Sequence, residues 1–279
     1  MTSTRARFAL DLLTYLVLAA GAVVIMIPLV WMLSTSLKTE AQIFKFPPEW
    51  FPDPILWSNY PKSMTGYGLP FVRFFLNSGF VTVLSTVGAL LSSSIVAFSF
   101  SRLSWKGRDV LFFIVIITMM IPREVIIVPE FIVFKLAGWI NTYLPLIVPS
   151  FFGHPFYIFI LRQYMMGISP EMDQAARIDG CSTWRVYWNI IMPQCRLVIL
   201  TVIIFSIQAH WNEFLGPLVY LNSTKMFTVS LGLSMFSGQY GTQWGLLMAA
   251  SLLVMLPILI LFAVAQKYFI QGIVITGIK

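Results

Sequence analysis

A chain of 279 residues that is 58% hydrophobic and only 10% charged, with a mean hydropathy of +0.83, is excluded from the class of ordinary soluble domains. Its formal charge of +7 does not point to nucleic acid, because lysine and arginine are dispersed between apolar runs rather than clustered. The two cysteines, Cys181 and Cys195, lack the close, repeated spacing of a metal site or disulfide framework and are expected as free thiols.

A helix needs about 20 apolar residues to cross the hydrocarbon core. Six stretches reach that length, at approximately 10–33, 74–100, 110–134, 143–161, 197–221 and 246–265. They predict an all-α membrane protein of six transmembrane helices, with residues 1–279 forming one domain. The first stretch follows Arg5 and Arg7 but is longer than a signal-peptide core and precedes no small-residue cleavage site, so it is expected to remain as a span. With the N-terminus inside, eleven basic residues lie inside (Arg5, Arg7, Arg102, Lys106, Arg108, Arg162, Arg177, Arg185, Arg196, Lys267, Lys279) and seven outside (Lys38, Lys45, Lys62, Arg73, Arg123, Lys135, Lys225). The bias places both termini in the cytoplasm.

The outer loop at 38–72 carries Pro47, Pro48, Pro52, Pro54, Pro61 and Pro70 among Trp50, Trp57 and Tyr60. Such a run argues against a long helix and for a rigid aromatic surface at the membrane boundary, either a receptor-docking face or an interfacial anchor. In the second span, Ser92, Ser93 and Ser94 read as small residues for close helix packing. The third span carries Pro122, Arg123, Glu124, Pro129 and Glu130, where prolines free backbone groups and Arg123 can pair with Glu124 or Glu130. His154, before Pro155 in the fourth span, reads as a satisfied bundle residue.

Between the fourth and fifth spans lies a polar loop, 165–195. Ser169 can cap a helix whose first turn holds Pro170, Glu171 and Asp173; Gly180 would end it, and Ser182 or Thr183 would start a second helix stopped by Pro193. Two short helices with a corner at Asp179–Gly180 are expected. In the fifth span Ser206, His210, Glu213 and Pro217 recur at i, i+4, i+7 and i+11, with Gln208 and Asn212 nearby. A charge at the bilayer centre costs roughly 2.5 to 3.5 kcal/mol, so this face is expected to line a hydrophilic route or to bond a neighbouring span. Asn222-Ser-Thr matches a glycosylation acceptor pattern, here read as a chance match.

The chain contains no GxxxxGK[ST] loop, HExxH, G-x-S-x-G elbow or close pair of intramembrane carboxylates. A conduit whose energy source lies elsewhere fits better than an enzyme. A secondary transporter driven through Glu213 and His210 is the first rival, and an intramembrane enzyme, which lacks a recognisable residue set, is the second.

The polar loop resembles the EAA signature of bacterial ATP-binding-cassette importer permeases, in which EAA is followed by three residues, Gly, nine residues and I-x-L-P. Gln174-Ala175-Ala176 takes the EAA position, Gly180 follows Arg177-Ile178-Asp179, and Ile190, Met192 and Pro193 close the pattern. Gln174 stands where the signature has glutamate and Met192 where it has leucine. Pro122 to Pro129, Ile160 to Tyr164, Trp211 to Leu221 (WNEFLGPLVYL) and the tail from Gln266 to Lys279 look like the carbohydrate, maltose-permease MalG-like branch; the likeness covers residues 70–279. The resemblance implies a type I importer permease that moves a sugar or sugar-like solute, or alternatively glycerol phosphate or another polyol. It also implies that a second related permease forms a heterodimer with this chain, that two ATPase subunits carry Mg-ATP, and that an extracytoplasmic solute-binding protein delivers substrate. This chain would then hold no cofactor, would contact membrane lipid, and would place its C-terminal tail toward the ATPase interface. Coupling to the ATPase would fall to Glu171, Gln174, Ala175, Ala176, Arg177, Asp179 and Gly180. The translocation path, on the polarity of the fifth span, would involve His210, Asn212 and Glu213.

Overall fold

The structure, a computed structural model, describes residues 4–66, 69–238 and 241–276. Lys279 and the rest of 277–279, the end of the expected tail, lie outside the described residues. In chain order the helices are α1 Thr4–Ser36, α2 Glu40–Ile43, α3 Asn59–Thr65, α4 Phe71–Arg102, α5 Arg108–Thr118, α6 Arg123–Leu136, α7 Leu144–Ile147 and α8 Pro155–Met166. They continue with α9 Pro170–Ile178, α10 Thr183–Val186, α11 Met192–Gln194, α12 Arg196–Trp211, α13 Leu215–Tyr220, α14 Val229–Ser234 and α15 Trp244–Thr276. A two-residue hairpin, Ser237–Gly238 against Gly241–Thr242, is the only sheet among the described residues.

Among the described residues, four helical stretches are long and apolar enough to cross a membrane, at Leu10–Ser36, Phe71–Arg102, Leu144–Met166 and Trp244–Gln266. Two bent pairs bring the number to six if each is one span. The third expected span is not one continuous helix. α5 and α6 meet at 99°, across a break closed by Pro122, whose missing N–H cannot continue the ladder. The fifth is also interrupted: α12 stops at Trp211, and α13 is a separate helix. Pro193 does not end the second loop helix either. The chain widens into a π turn at Tyr187–Ile191, passes Pro193 inside α11, and breaks at Cys195, where 183–194 and 196–211 meet at 80°.

Two compact units emerge, one from residues 1–69 and 233–255, the other from 70–232 and 256–279. In the first, the proline-rich loop folds as short helices rather than a long one, as its composition predicts. Lys38 is buried, with its ammonium 4.3 Å above the Trp31 ring and donating to the carbonyl of Glu49; burial pushes its pKa down. Asn59 donates to the carbonyls of Ser36 and Lys38, and Glu40 accepts from the N–H of Gly245 at 3.1 Å.

In the second unit α4 is the central element, packed against α8, α12 and the 148–152 turn. Its buried positions include Phe71, Phe74, Ser78, Val81, Ser85, Ala89, Ser93, Ala97 and Phe100, a three-to-four residue recurrence that puts one stripe of mostly small side chains inward. The serines do more than permit close approach. The segment 144–155 contains Pro145, Pro149 and Pro155, and Gly153 at φ +89, so it cannot form a regular helix. The backbone groups freed there are taken up by α4. Ser85 donates to the carbonyl of Leu146 at 3.1 Å, Ser92 to that of Ser150 at 3.0 Å, and Ser93 accepts from the N–H of His154 at 2.9 Å.

Candidate functional sites

Two sites stand out in this second unit: a polar cavity among broken helices and the loop helix α9.

The cavity encloses about 380 Å³ and is walled by α4, α6, the irregular 145–155 segment, α12, α13 and Thr228. Its polar lining is Thr118, Arg123, Glu130, Ser150, His154, His210, Glu213 and Thr228, of which Arg123, His154, His210 and Glu213 sit at or beside a helix end. Arg123, first residue of α6, donates from Nη1 to Glu213 Oε2 at 2.9 Å. The other oxygen of Glu213 accepts the N–H of Gly216 at 2.8 Å, so one carboxylate joins α6 to the start of α13. Glu130, one face further along α6, accepts from the Tyr220 hydroxyl at 3.2 Å. The sequence reading paired Arg123 with Glu124 or Glu130; its partner is Glu213 instead, because the fold of α12 and α13 brings Glu213 to the N-terminal end of α6. Thr228 is buried, and its hydroxyl has no hydrogen-bond partner among the described residues.

The helical-face argument for the fifth span fails in its geometry but holds for three of its residues. α12 ends at Trp211, so Glu213 sits in the connection and Pro217 in α13, yet His210, Glu213 and Pro217 all line the cavity. Ser206 is fully buried away from it. Asn212 lies outside the cavity, donating to the carbonyl of Gln208 at 2.9 Å beside an outer recess lined by Gln208, Asn212 and Phe214. His154, read as a bundle residue, lines the cavity and stacks on Tyr157 with ring centroids 4.4 Å apart.

The loop helix α9 forms as its residues dictate. Ser169 accepts the N–H of Glu171 at 3.3 Å as N-cap, and Pro170 opens the first turn. At the other end the N–H of Cys181 returns to the carbonyl of Ala176 at 2.9 Å and that of Gly180 to Arg177 at 3.1 Å, a Schellman closure around Gly180 at φ +80. Ser182 then caps α10, accepting the N–H of Arg185. Glu171, Gln174, Ala175 and Ile178, spaced i, i+3, i+4, i+7, are all exposed on one face, Ile178 to 86%. Arg177, Asp179 and Gly180 are exposed beside it, while Ala176 turns inward with Asp173. That face therefore presents Ala175 and Ile178 between the polar side chains of Glu171 and Gln174. Asp173, which sequence reasoning assigned only to the helix dipole, forms an ion pair with Arg102 at 3.4 Å.

Among the described residues no group of three or more His, Cys, Asp or Glu side chains is arranged to hold a metal ion, and both cysteines are free. Bent and interrupted apolar helices around a polar cavity, with a capped polar loop helix in the same unit, are the architecture of a multi-pass membrane protein with a polar interior. The chain belongs to the family described as binding-protein-dependent transport system inner membrane component, whose model matches residues 88–275. It is the non-catalytic membrane subunit of an ATP-binding-cassette importer. It is 35% identical over 228 residues to the arabinooligosaccharides transport system permease protein AraQ of Halalkalibacterium halodurans, covering 82% of this chain and 81% of that one. To AraQ of Bacillus subtilis it is 33% identical over 254 residues, 90% of each chain. Its fold matches a chain of a bacterial ABC transporter involved in the import of the acidic polysaccharide alginate, with a TM-score of 0.83 at 21% identity, covering 96% of this chain and 99% of that one.

Proposed function

We propose that this permease carries a sugar or oligosaccharide inward by alternating access, acting as one domain of six spans with both termini cytoplasmic. α9 is the point of attachment for an ATPase subunit. A second related permease completes the pathway, a second ATPase subunit completes the nucleotide-binding pair, and an extracytoplasmic binding protein supplies the solute. ATP closes the ATPase dimer, which displaces α9, and the helices around the cavity reorient; the ATPase, by binding nucleotide differently in the two states, biases the equilibrium. Glu171, Gln174, Ala175, Ala176, Arg177, Asp179 and Gly180 make up the coupling element. Gln174, exposed, can accept or donate a hydrogen bond to the ATPase but cannot form the ion pair a glutamate would.

The solute path runs past Arg123, His210 and Glu213, whose polarity within an apolar chain is costly unless it faces water or solute. Asn212 contributes from the neighbouring recess. The oligosaccharide class draws on the likeness to the AraQ permeases.

The observation that carries this reading is the exposed face of α9, apolar at Ala175 and Ile178 and flanked by charge. It is tested by Ile178→Glu in the reconstituted importer, with uptake of a labelled arabino-oligosaccharide and co-purification of the ATPase as readouts. Loss of both is expected; undiminished co-purification and uptake would overturn the assignment.

A further inference from the structure

Arg102 closes α4, and its side chain is only 5% exposed. One guanidinium there holds three elements together. Nη2 donates to the carbonyls of Met165 at 2.6 Å and Ile168 at 2.8 Å, which caps the C-terminal end of α8 where carbonyls lack helical partners. Nη1 lies 3.4 Å from Asp173 Oδ2 on α9, a carboxylate itself only 11% exposed. The rigid fork of arginine fixes all three at once, which the single ammonium of lysine cannot do.

The pair is not built for stability alone. Arg102 Nε and Asp173 Oδ1 are buried with no hydrogen-bond partner among the described residues. A buried ion pair repays its desolvation only when the remaining polar atoms are also satisfied. A half-satisfied pair therefore stands in need of another explanation, and an element that changes its contacts during a cycle supplies one.

The other end of the connection is the cavity. The α4 serines hold Leu146, Ser150 and His154, and all three of those residues line it. We propose that Arg102 is a positioning residue of the transport cycle: through Asp173 it passes displacement of α9 to α4, and α4 passes it to the cavity wall. This rests on the reading of α9 as the ATPase attachment point. Neither residue lines the cavity, and Asp173 lies on the face of α9 opposite the exposed one.

The test uses the complete importer in proteoliposomes, with Asp173→Asn, Asp173→Glu and Arg102→Gln, and measures ATPase co-purification, binding-protein-stimulated hydrolysis and solute taken up per ATP. In Asp173→Asn and Arg102→Gln, co-purification stays unchanged and hydrolysis stays within about twofold, while uptake per ATP falls about tenfold, the scale of a lost coupling interaction. Asp173→Glu restores most of that ratio. An unchanged ratio in both neutral variants overturns the proposal. So does a parallel loss of co-purification and hydrolysis, or failure of both variants to accumulate, since a role in folding alone then accounts for the pair. Docking is read independently from Ile178→Glu: retained co-purification in that variant defeats the attachment reading whatever Asp173 does.

Discussion

Arg123 and Glu213, 90 residues apart in the chain, meet at 2.9 Å and tie the start of α6 to the turn that begins α13. Each belongs to a segment broken by the fold, and both line the cavity. The Arg123 side chain is 54% exposed and that of Glu213 22%, so solvent screens much of their attraction.

A double-mutant cycle isolates the pair. Arg123→Gln and Glu213→Gln each lower uptake, and their effects combine with an interaction of about 0.5 to 1 kcal/mol rather than adding. Glu213→Gln keeps an oxygen for the Gly216 N–H and is the milder change for protein yield. Strict additivity in uptake rates would show that the two side chains act independently.

Gly180 has φ +80, and a Cβ built there meets nothing within 4 Å. Space is therefore not the constraint; the left-handed backbone is, and it costs a residue with a Cβ about 1 to 2 kcal/mol. Gly180→Asn should retain more uptake per ATP than Gly180→Ala, and Gly180→Val should retain least. Equal coupling in Val and Asn variants would remove the requirement for positive φ.

Two other glycines are constrained by contact. A Cβ at Gly232 would come within 2.3 Å of the Phe74 ring, which is fully buried, whereas at Gly88 it would come within 2.5 Å of the Phe151 ring, which is largely exposed. The first ring has nowhere to go and the second can swing outward. Gly232→Ala should lower stability by about 1 to 3 kcal/mol, the usual scale of overpacking, and Gly88→Ala by less. Thermal unfolding of the detergent-solubilised permease measures the difference, and the reverse order would contradict the packing described.

Asn77 donates to the carbonyls of Lys225 and Phe227 at 3.0 and 2.9 Å, and the hydroxyl of its neighbour Ser78 accepts the N–H of Val229 at 2.8 Å. Together they pin the connection between α13 and α14 onto α4. Asn77→Leu removes both bonds, and because water can reach the exposed Lys225 carbonyl the loss is about 0.5 to 1.5 kcal/mol. Hydrogen exchange should accelerate across 223–229 and remain unchanged across α9. Unaltered exchange in 223–229 would count against the tether.

Much of this molecule is legible in its residue order because the relevant signals are local. Four of the six apolar runs, the Ser169 and Ser182 caps, and the turn at Gly180 depend on side chains within a few positions of one another, and each is found where the pattern places it. Prolines marked the third span as broken in its hydrogen bonding, while the irregular course of the fourth had no such reading. The angles at their breaks, and which groups rescue the freed backbone, were not readable: Ser92 and Ser93 looked like spacers, and their hydrogen bonds to Ser150 and His154 cross about 60 residues.

What the sequence determined by itself was therefore membership in a membrane class, the two capped helices of the polar loop, and the polarity of His210 and Glu213. Tertiary structure alone decided that Arg123 answers Glu213 and not Glu130, that Asn212 falls outside the cavity, and that Arg102 reaches Asp173. The physical reason is the same in each case. A helical period places side chains on a common face only while the helix continues, and α12 ends at Trp211. Charges buried in an apolar fold select their partners by three-dimensional proximity, which no spacing along the chain encodes.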